Sequence, residues 1–344
     1  MSAYDFIDPI TNIKKIEEIK VFRDNKGIIG KKITYYTPKI QKPKILKNLC
    51  KLLQMLFILS LDTKLLIGIY EIPHGLLAFI VGKIKKIPTV ICIIGNPGYN
   101  KKRKGLWKLA MYFILKRVEA VTSTGNKSKK ILINNGVNPN KIYILPNSIN
   151  INYFLPNPRK KVYDIIGVGR LSPEKEFIKF LDIVKILKKK LPKIKVGIAG
   201  KGREKEKLQK KIKELSLENN VNLLGHIKNI ARFYNSGKIF VSCSSTEGLP
   251  RAVIEAMACG IPCVISNIGD VEDLVKNEEN GFLVDDYSNK DEFANKILLL
   301  LSNKILYNHF SKKSIIYAKK NYSHQAAIDV WKNIIKCMIQ EKNE

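Results

Sequence analysis

At 344 residues the chain exceeds what one hydrophobic core usually supports, so two domains of ordinary size are expected, and 45% hydrophobic content is enough for both. The net charge of +31 is uneven: residues 1–150 hold 27 Lys/Arg against 8 Asp/Glu and the remainder 34 against 22, which fits either an anionic partner or lysines scattered over solvated faces. No apolar run approaches the length of a bilayer, which argues against a spanning segment, and six cysteines without CxxC spacing argue against disulfides or a zinc site and for reduced thiols in a cytosolic protein.

The opening MSAYDFIDPITNIKK lacks the basic-then-apolar order of a signal peptide. Ile19–Phe22 and Ile33–Tyr36 are the first candidate strands in an otherwise weakly patterned start. Over 39–61, Lys42, Lys44, Lys47 and Lys51 precede a strongly apolar run, giving a helix that either lies on an anionic membrane or is a core helix with a basic end. Strands are then predicted at 65–70, 89–94, 119–123 and 142–145, with helices at 75–86 and 127–134. Residues 103–117, RKGLWKLAMYFILKR, form a second basic and aromatic helix. Proline and asparagine crowd 146–158, where an interdomain hinge is expected. Alternation resumes with strands at Tyr163–Val168, 195–199, 222–224, 239–242, 262–265 and Gly281–Val284, and the chain closes on a helix spaced by Ile328, Trp331, Ile334, Ile335, Met338 and Ile339. Such alternation predicts βαβ units in parallel sheets. The expected architecture is α/β: two doubly wound, Rossmann-like domains facing a ligand cleft at the strand carboxyl ends. Domain limits are placed at 1–152 and 153–325, with 326–344 a terminal helix.

The densest chemistry lies in 244–262, SSTEGLPRAVIEAMACGIP. Gly248 suits a tight turn, Pro250 suits the first position of a helix, and Gly260 followed by Pro262 stops that helix. The helix is apolar nearly all round, so Glu255 on its second turn needs a partner, either the hydroxyls of a ligand or one of the many lysines. Glu247 at the tip is either beside the same ligand or a solvated loop residue. Backbone N–H groups at Gly248 and Leu249, at the positive end of the helix, favour a phosphate.

Other candidates sit at predicted strand ends. Gly169, Arg170 and Lys175 leave the strand at 163–168, where the two cations either neutralise a diphosphate or are surface charges. Gly200 and Gly202 form a turn that permits close approach to a flat ring. Gly225, His226 and Ile227 leave the next strand, with His226 a loop residue whose backbone matters. Glu71 and His74 end a strand in the front half. No carboxylate cluster has metal-site spacing and no Ser/His/Asp constellation is visible.

Together GVGRLSPEK, IAGKG, VNLLGHI and SSTEGLPRAVIEAMACGIPCVISNIGDVEDLVKNEENGFLV resemble the second domain of glycosyltransferase family 4, retaining nucleotide-sugar transferases of GT-B fold. The resemblance implies that Glu247 contacts the transferred sugar, Glu255 the ribose, Arg170 and Lys175 the diphosphate, and 225–227 the base. It also implies that the last helix crosses back to the front domain. YEIPHGLLAFIVGKIKKIPTVICIIGNPG is similar to the family's acceptor side, making Glu71, His74 and Asn96 candidates there, and LPNSIN to its hinge. Ile94 stands where many members have His, and residues 1–36 lack the family's opening Gly-Gly loop. The expected function is metal-free, cofactor-free transfer of a sugar from a nucleoside diphosphate sugar to an envelope glycan or lipid-linked acceptor. The enzyme would be peripheral on an anionic, cytosolic membrane face, with no nucleic-acid partner. The alternatives are a catalytically weakened binding partner of the same fold, and an epimerase or hydrolase.

Overall fold

A computed structural model of the chain describes residues 4–25, 30, 32–40, 42–60, 62–95, 97, 105–157 and 161–340. The chain divides into two compact units, residues 1–148 with 324–344, and residues 149–323. The breaks thus fall at 148 and 323, a few residues before the expected 152 and 325.

The first unit begins with α1 (Tyr4–Thr11), which the sequence pattern did not indicate, followed by β1 (Ile19–Phe22), β2 (Ile33–Tyr36) and α2 (Lys44–Ile58). After these come β3 (Leu66–Ile69), a π-turn over Glu71–Gly75, α3 (Leu76–Lys85), β4 (Thr89–Cys92), α4 (Leu106–Arg117), β5 (Ala120–Ser123), α5 (Asn126–Asn134) and β6 (Ile142–Ile144). β3 to β6 form a parallel sheet in simple chain order, while β1 and β2 make a separate parallel ribbon. The central strands β4 and β5 are buried at every position because both sheet faces are covered. With period two, Val90 and Cys92 meet Trp331, Ile334 and Met338 of the helix His324–Gln340. Ile91 and Val121 meet Met111 and Leu115 of α4 and Leu132 of α5. That terminal helix therefore covers one face of the first unit's sheet.

One detail of α2 departs from its basic, solvated appearance. Lys51 is only 1% exposed, and its ammonium forms an ion pair with Asp24, which also binds Lys47 at 2.7 Å. Burying a lysine stem while pairing its head satisfies both the apolar surroundings and the charge.

The second unit runs β7 (Tyr163–Val168), α6 (Phe177–Lys190), β8 (Val196–Ala199), α7 (Lys205–Glu214), β9 (Val221–Gly225), α8 (Ile230–Asn235), β10 (Gly237–Ser242) and α9 (Arg251–Ala258). It continues through β11 (Cys263–Ser266), β12 (Gly281–Val284), α10 (Lys290–Ser302) and α11 (Lys304–Tyr322), after which the terminal helix is α12. Its six parallel strands are ordered β12-β11-β10-β7-β8-β9. Ile165, Ile198, Val241 and Val264 face one core and Ile166, Ala199, Phe240 and Ile265 the other, so the sheet is covered on both sides. The chain moves outward from β7 to β9, then returns to the other side of β7 to place β10. The loops leaving β7 and β10 at that reversal meet at the strand carboxyl ends, the Ser245 N–H donating to the Glu174 carbonyl at 3.0 Å, where open α/β sheets bind ligands.

Candidate active site

The reversal brings together the two stretches singled out in the sequence. Lys175, in the short 3₁₀ turn Pro173–Lys175 after β7, reaches Glu247 in the loop after β10, with Nζ 2.5 Å from Oε1. Ser244 Oγ donates to the same oxygen at 2.7 Å. These contacts leave the Glu247 side chain 13% exposed and that of Lys175 25% exposed, so the pair is ordered yet still reachable from solvent. Arg170 differs: its side chain is 76% exposed and its guanidinium lies 3.9 Å from Glu174 Oε1. Glu174 is anchored by the Ser172 hydroxyl at 2.6 Å, and that hydrogen bond holds its carboxyl below the ordinary range. A negative group on a fixed loop thus steadies a cation that remains open to an anionic ligand.

Glu247, Gly248, Leu249 and Pro250 lead into α9. Pro250 is the N-cap, so the helix begins at Arg251, one residue later than the sequence suggests. Pro250 supplies no side-chain cap and the first turn of the helix holds no acid; the positive end of a helix favours an anion. The loop is braced from behind, where the Asp270 N–H donates to the Gly248 carbonyl at 2.8 Å. Leu249 is 5% exposed and packs into the core, so only its backbone faces the loop's chemistry.

Glu255 has protein partners of its own. The Tyr234 hydroxyl donates to Oε2 at 2.9 Å and Arg251 Nε lies 3.3 Å from Oε1, one helical turn earlier. Tyr234 is fully buried, and burial first, then the Glu255 charge, pushes its phenol well above its ordinary range, so it stays a donor. Arg251 has a sequence signal in its four-residue spacing from Glu255; Tyr234 and Ser244 have none that periodicity could reveal.

The glycine turn serves the loops themselves. A Cβ at Gly200 would collide with the Gly169 carbonyl oxygen, and one at Gly202 with the Leu171 backbone, so loops 169–171 and 200–202 pack main chain to main chain. Leu171 N–H donates to Lys201 O at 2.9 Å across this contact. Gly225 closes β9, with its carbonyl accepting from the Gly200 N–H at 2.8 Å; His226 is exposed and Ile227 packs on the core. All these positions therefore lie at the carboxyl ends of β7, β8, β9 and β10 in one unit.

In the first unit Glu71 and His74 share the π-turn after β3. Burial, followed by the charge of Lys51, lowers the His74 pKa. Asn96 lies outside the described residues. Among the described residues no group of three or more His, Cys, Asp or Glu could hold a metal ion. All six cysteines are free, and no described helix is long and apolar enough to cross a membrane.

Two parallel α/β units with a topological switch point in the second define the GT-B class. Residues 152–316 match the family of glycosyl transferases group 1, so the second unit is a domain of that family. Among the relatives is an uncharacterized glycosyltransferase of Haemophilus influenzae, 37% identical over 50% of this chain and 48% of its own length. Another is the UDP-Gal:alpha-D-GlcNAc-diphosphoundecaprenol alpha-1,3-galactosyltransferase of Escherichia coli, 28% identical over 77% of this chain and 75% of its own. The chain thus spans about half of the first relative and three quarters of the second. The crystal structure of Anabaena HepE with UDP and glucose aligns with a TM-score of 0.80 at 18% identity, covering 96% of this chain and 94% of that one, a likeness of fold.

Proposed function

We propose that the protein is a retaining glycosyltransferase that moves a sugar from a nucleoside diphosphate sugar to a glycan or lipid-linked acceptor at an anionic membrane surface. The observation that carries this reading is the meeting of Lys175 and Glu247 at the switch point, beside exposed Arg170 and the start of α9. Arg170, Lys175 and the helix end would hold the diphosphate and stabilise the charge that grows on it as the C1–O bond to the donor breaks. Glu247, freed in part from Lys175 by the phosphate, would hold the sugar, and Glu255 the ribose. The acceptor oxygen bonds to C1 on the face the diphosphate leaves, and its proton passes to a departing phosphate oxygen. No metal or resident cofactor is needed for this sequence of events. The E. coli relative's named substrates support a UDP-sugar and a lipid-linked acceptor.

The membrane surface rests on α4 and α2. α4 exposes Leu106, Trp107, Leu109 and Phe113 beside Lys108, Lys116 and Arg117, and α2 exposes Ile45 and Phe57 with Lys44 at its start. Exposed apolar side chains flanked by lysines suit an anionic interface. Donor consumption with UDP-, GDP- and ADP-sugars tests the chemistry: Arg170→Ala should lower kcat at least tenfold, and unchanged turnover would remove Arg170 from the reaction. Liposomes of anionic lipid at low salt should shift Trp107 fluorescence to the blue; no shift would refute the membrane assignment.

A further inference from the structure

The first unit contains a cavity of about 1000 Å³ between two strand edges. β1 forms one wall and β3 another, and each pairs with a single neighbour among the described residues, β1 with β2 and β3 with β4. In a parallel strand alternate residues direct their N–H and C=O to opposite sides. Ile19 and Arg23 donate to Lys32 and Tyr36 of the ribbon, so the amides of Lys20 and Phe22 face away from β2. Leu66 and Tyr70 donate to Pro88 and Cys92, so those of Ile67 and Ile69 face away from β4. Both unused edges border the same space, lined by apolar side chains including Leu77 and Trp331 and by charged ones including Lys20, Asp24 and Lys51. The Trp331 indole N–H, on a side chain 1% exposed, has no hydrogen-bond partner among the described residues.

A five-residue strand fills roughly 800 Å³, from a rise of about 3.3 Å per residue, a strand spacing of about 4.8 Å and a layer about 10 Å deep. The slot therefore has a strand's volume, two strand-pairing walls and a buried donor awaiting an acceptor. We propose that it accepts an extended polypeptide strand in trans, apolar on both faces, which would join the ribbon and the four-stranded sheet into one. An aliphatic ligand would fill the volume but leave the four edge amides unpaired, at a cost that strand addition avoids. This assignment is independent of the sugar-transfer reading.

The probe is the peptide acetyl-KKIVIVIK-amide, added to the full chain, with a version N-methylated at alternate residues as control. Hydrogen exchange at the amides of Lys20, Phe22, Ile67 and Ile69 should slow at least tenfold at saturation, and the N-methylated peptide should bind at least tenfold more weakly. Lys20→Pro, which removes an edge donor unused by the ribbon, should weaken binding while leaving the circular dichroism spectrum unchanged. Absence of protection at these amides, or equal binding of the N-methylated peptide, overturns the proposal. So does farnesyl diphosphate occupying the cavity where the peptide does not, which would assign the space to an amphiphile.

Discussion

Tyr234→Phe removes one oxygen and keeps the ring, so its consequence can be worked from the geometry. The ring stays packed against Phe154 and Phe240, with centroids 6.0 Å away in both cases, and no cavity opens. What is lost is a hydrogen bond to a carboxylate 15% exposed, whose other oxygen lies 3.3 Å from Arg251 Nε. Hydrogen bonds to charged groups contribute about 1.5–3 kcal/mol, so a loss of about 2 kcal/mol is expected in the second unit. At about 2–4 °C per kcal/mol for a unit of this size, its melting midpoint should fall by roughly 4–8 °C. Hydrogen exchange at α9 and β10 amides would read the loss locally. In a Glu255→Gln background the same change should cost only about 1 kcal/mol, because a neutral acceptor replaces the carboxylate. The reasoning fails if Tyr234→Phe alone costs less than about 0.5 kcal/mol, the scale of a change that touches nothing important.

Two further outcomes follow from other parts of the chain. Gly200→Ala should destabilise the second unit by about 2–3 kcal/mol by forcing loops 169–171 and 200–202 apart, whereas Gly225→Ala, whose new methyl meets open space at φ +66°, should cost about 1 kcal/mol of backbone strain; equal losses in denaturant titrations would contradict the loop contact. Burial raises the Asp24 pKa, but the Lys47 and Lys51 hydrogen bonds and charges outweigh it and hold the group at about 2 against an ordinary 3.8. A depressed carboxylate stabilises above its unfolded pKa and loses that contribution as pH falls toward the folded value, so the first unit should weaken between about pH 4 and 2. Trp331 fluorescence followed in acid would report it, and Asp24→Asn should erase the slope while costing about 3 kcal/mol through the stranded Lys51 ammonium.

The sequence by itself determined most of the elements and the identity of the chemical stretch. Short apolar runs placed β1, β2, β7 and β12 at their observed limits, because a strand buried in a sheet writes its apolar residues into the chain locally. The glycine, proline and acid spacing around Glu247 and Glu255 marked a loop and helix start to within one residue, since those requirements are local. α1 escaped notice because a short helix containing Pro9 carries little periodic signal. Only the tertiary structure decided who partners whom. Lys175 and Glu247 lie far apart in sequence and meet because the strand order reverses between β7 and β10. Tyr234 donates to Glu255; Lys51 turns inward to Asp24; and Gly200 serves a neighbouring loop. Each is a contact between residues brought together by packing, and local pattern holds no record of which distant side chain will fill the remaining hydrogen-bonding position.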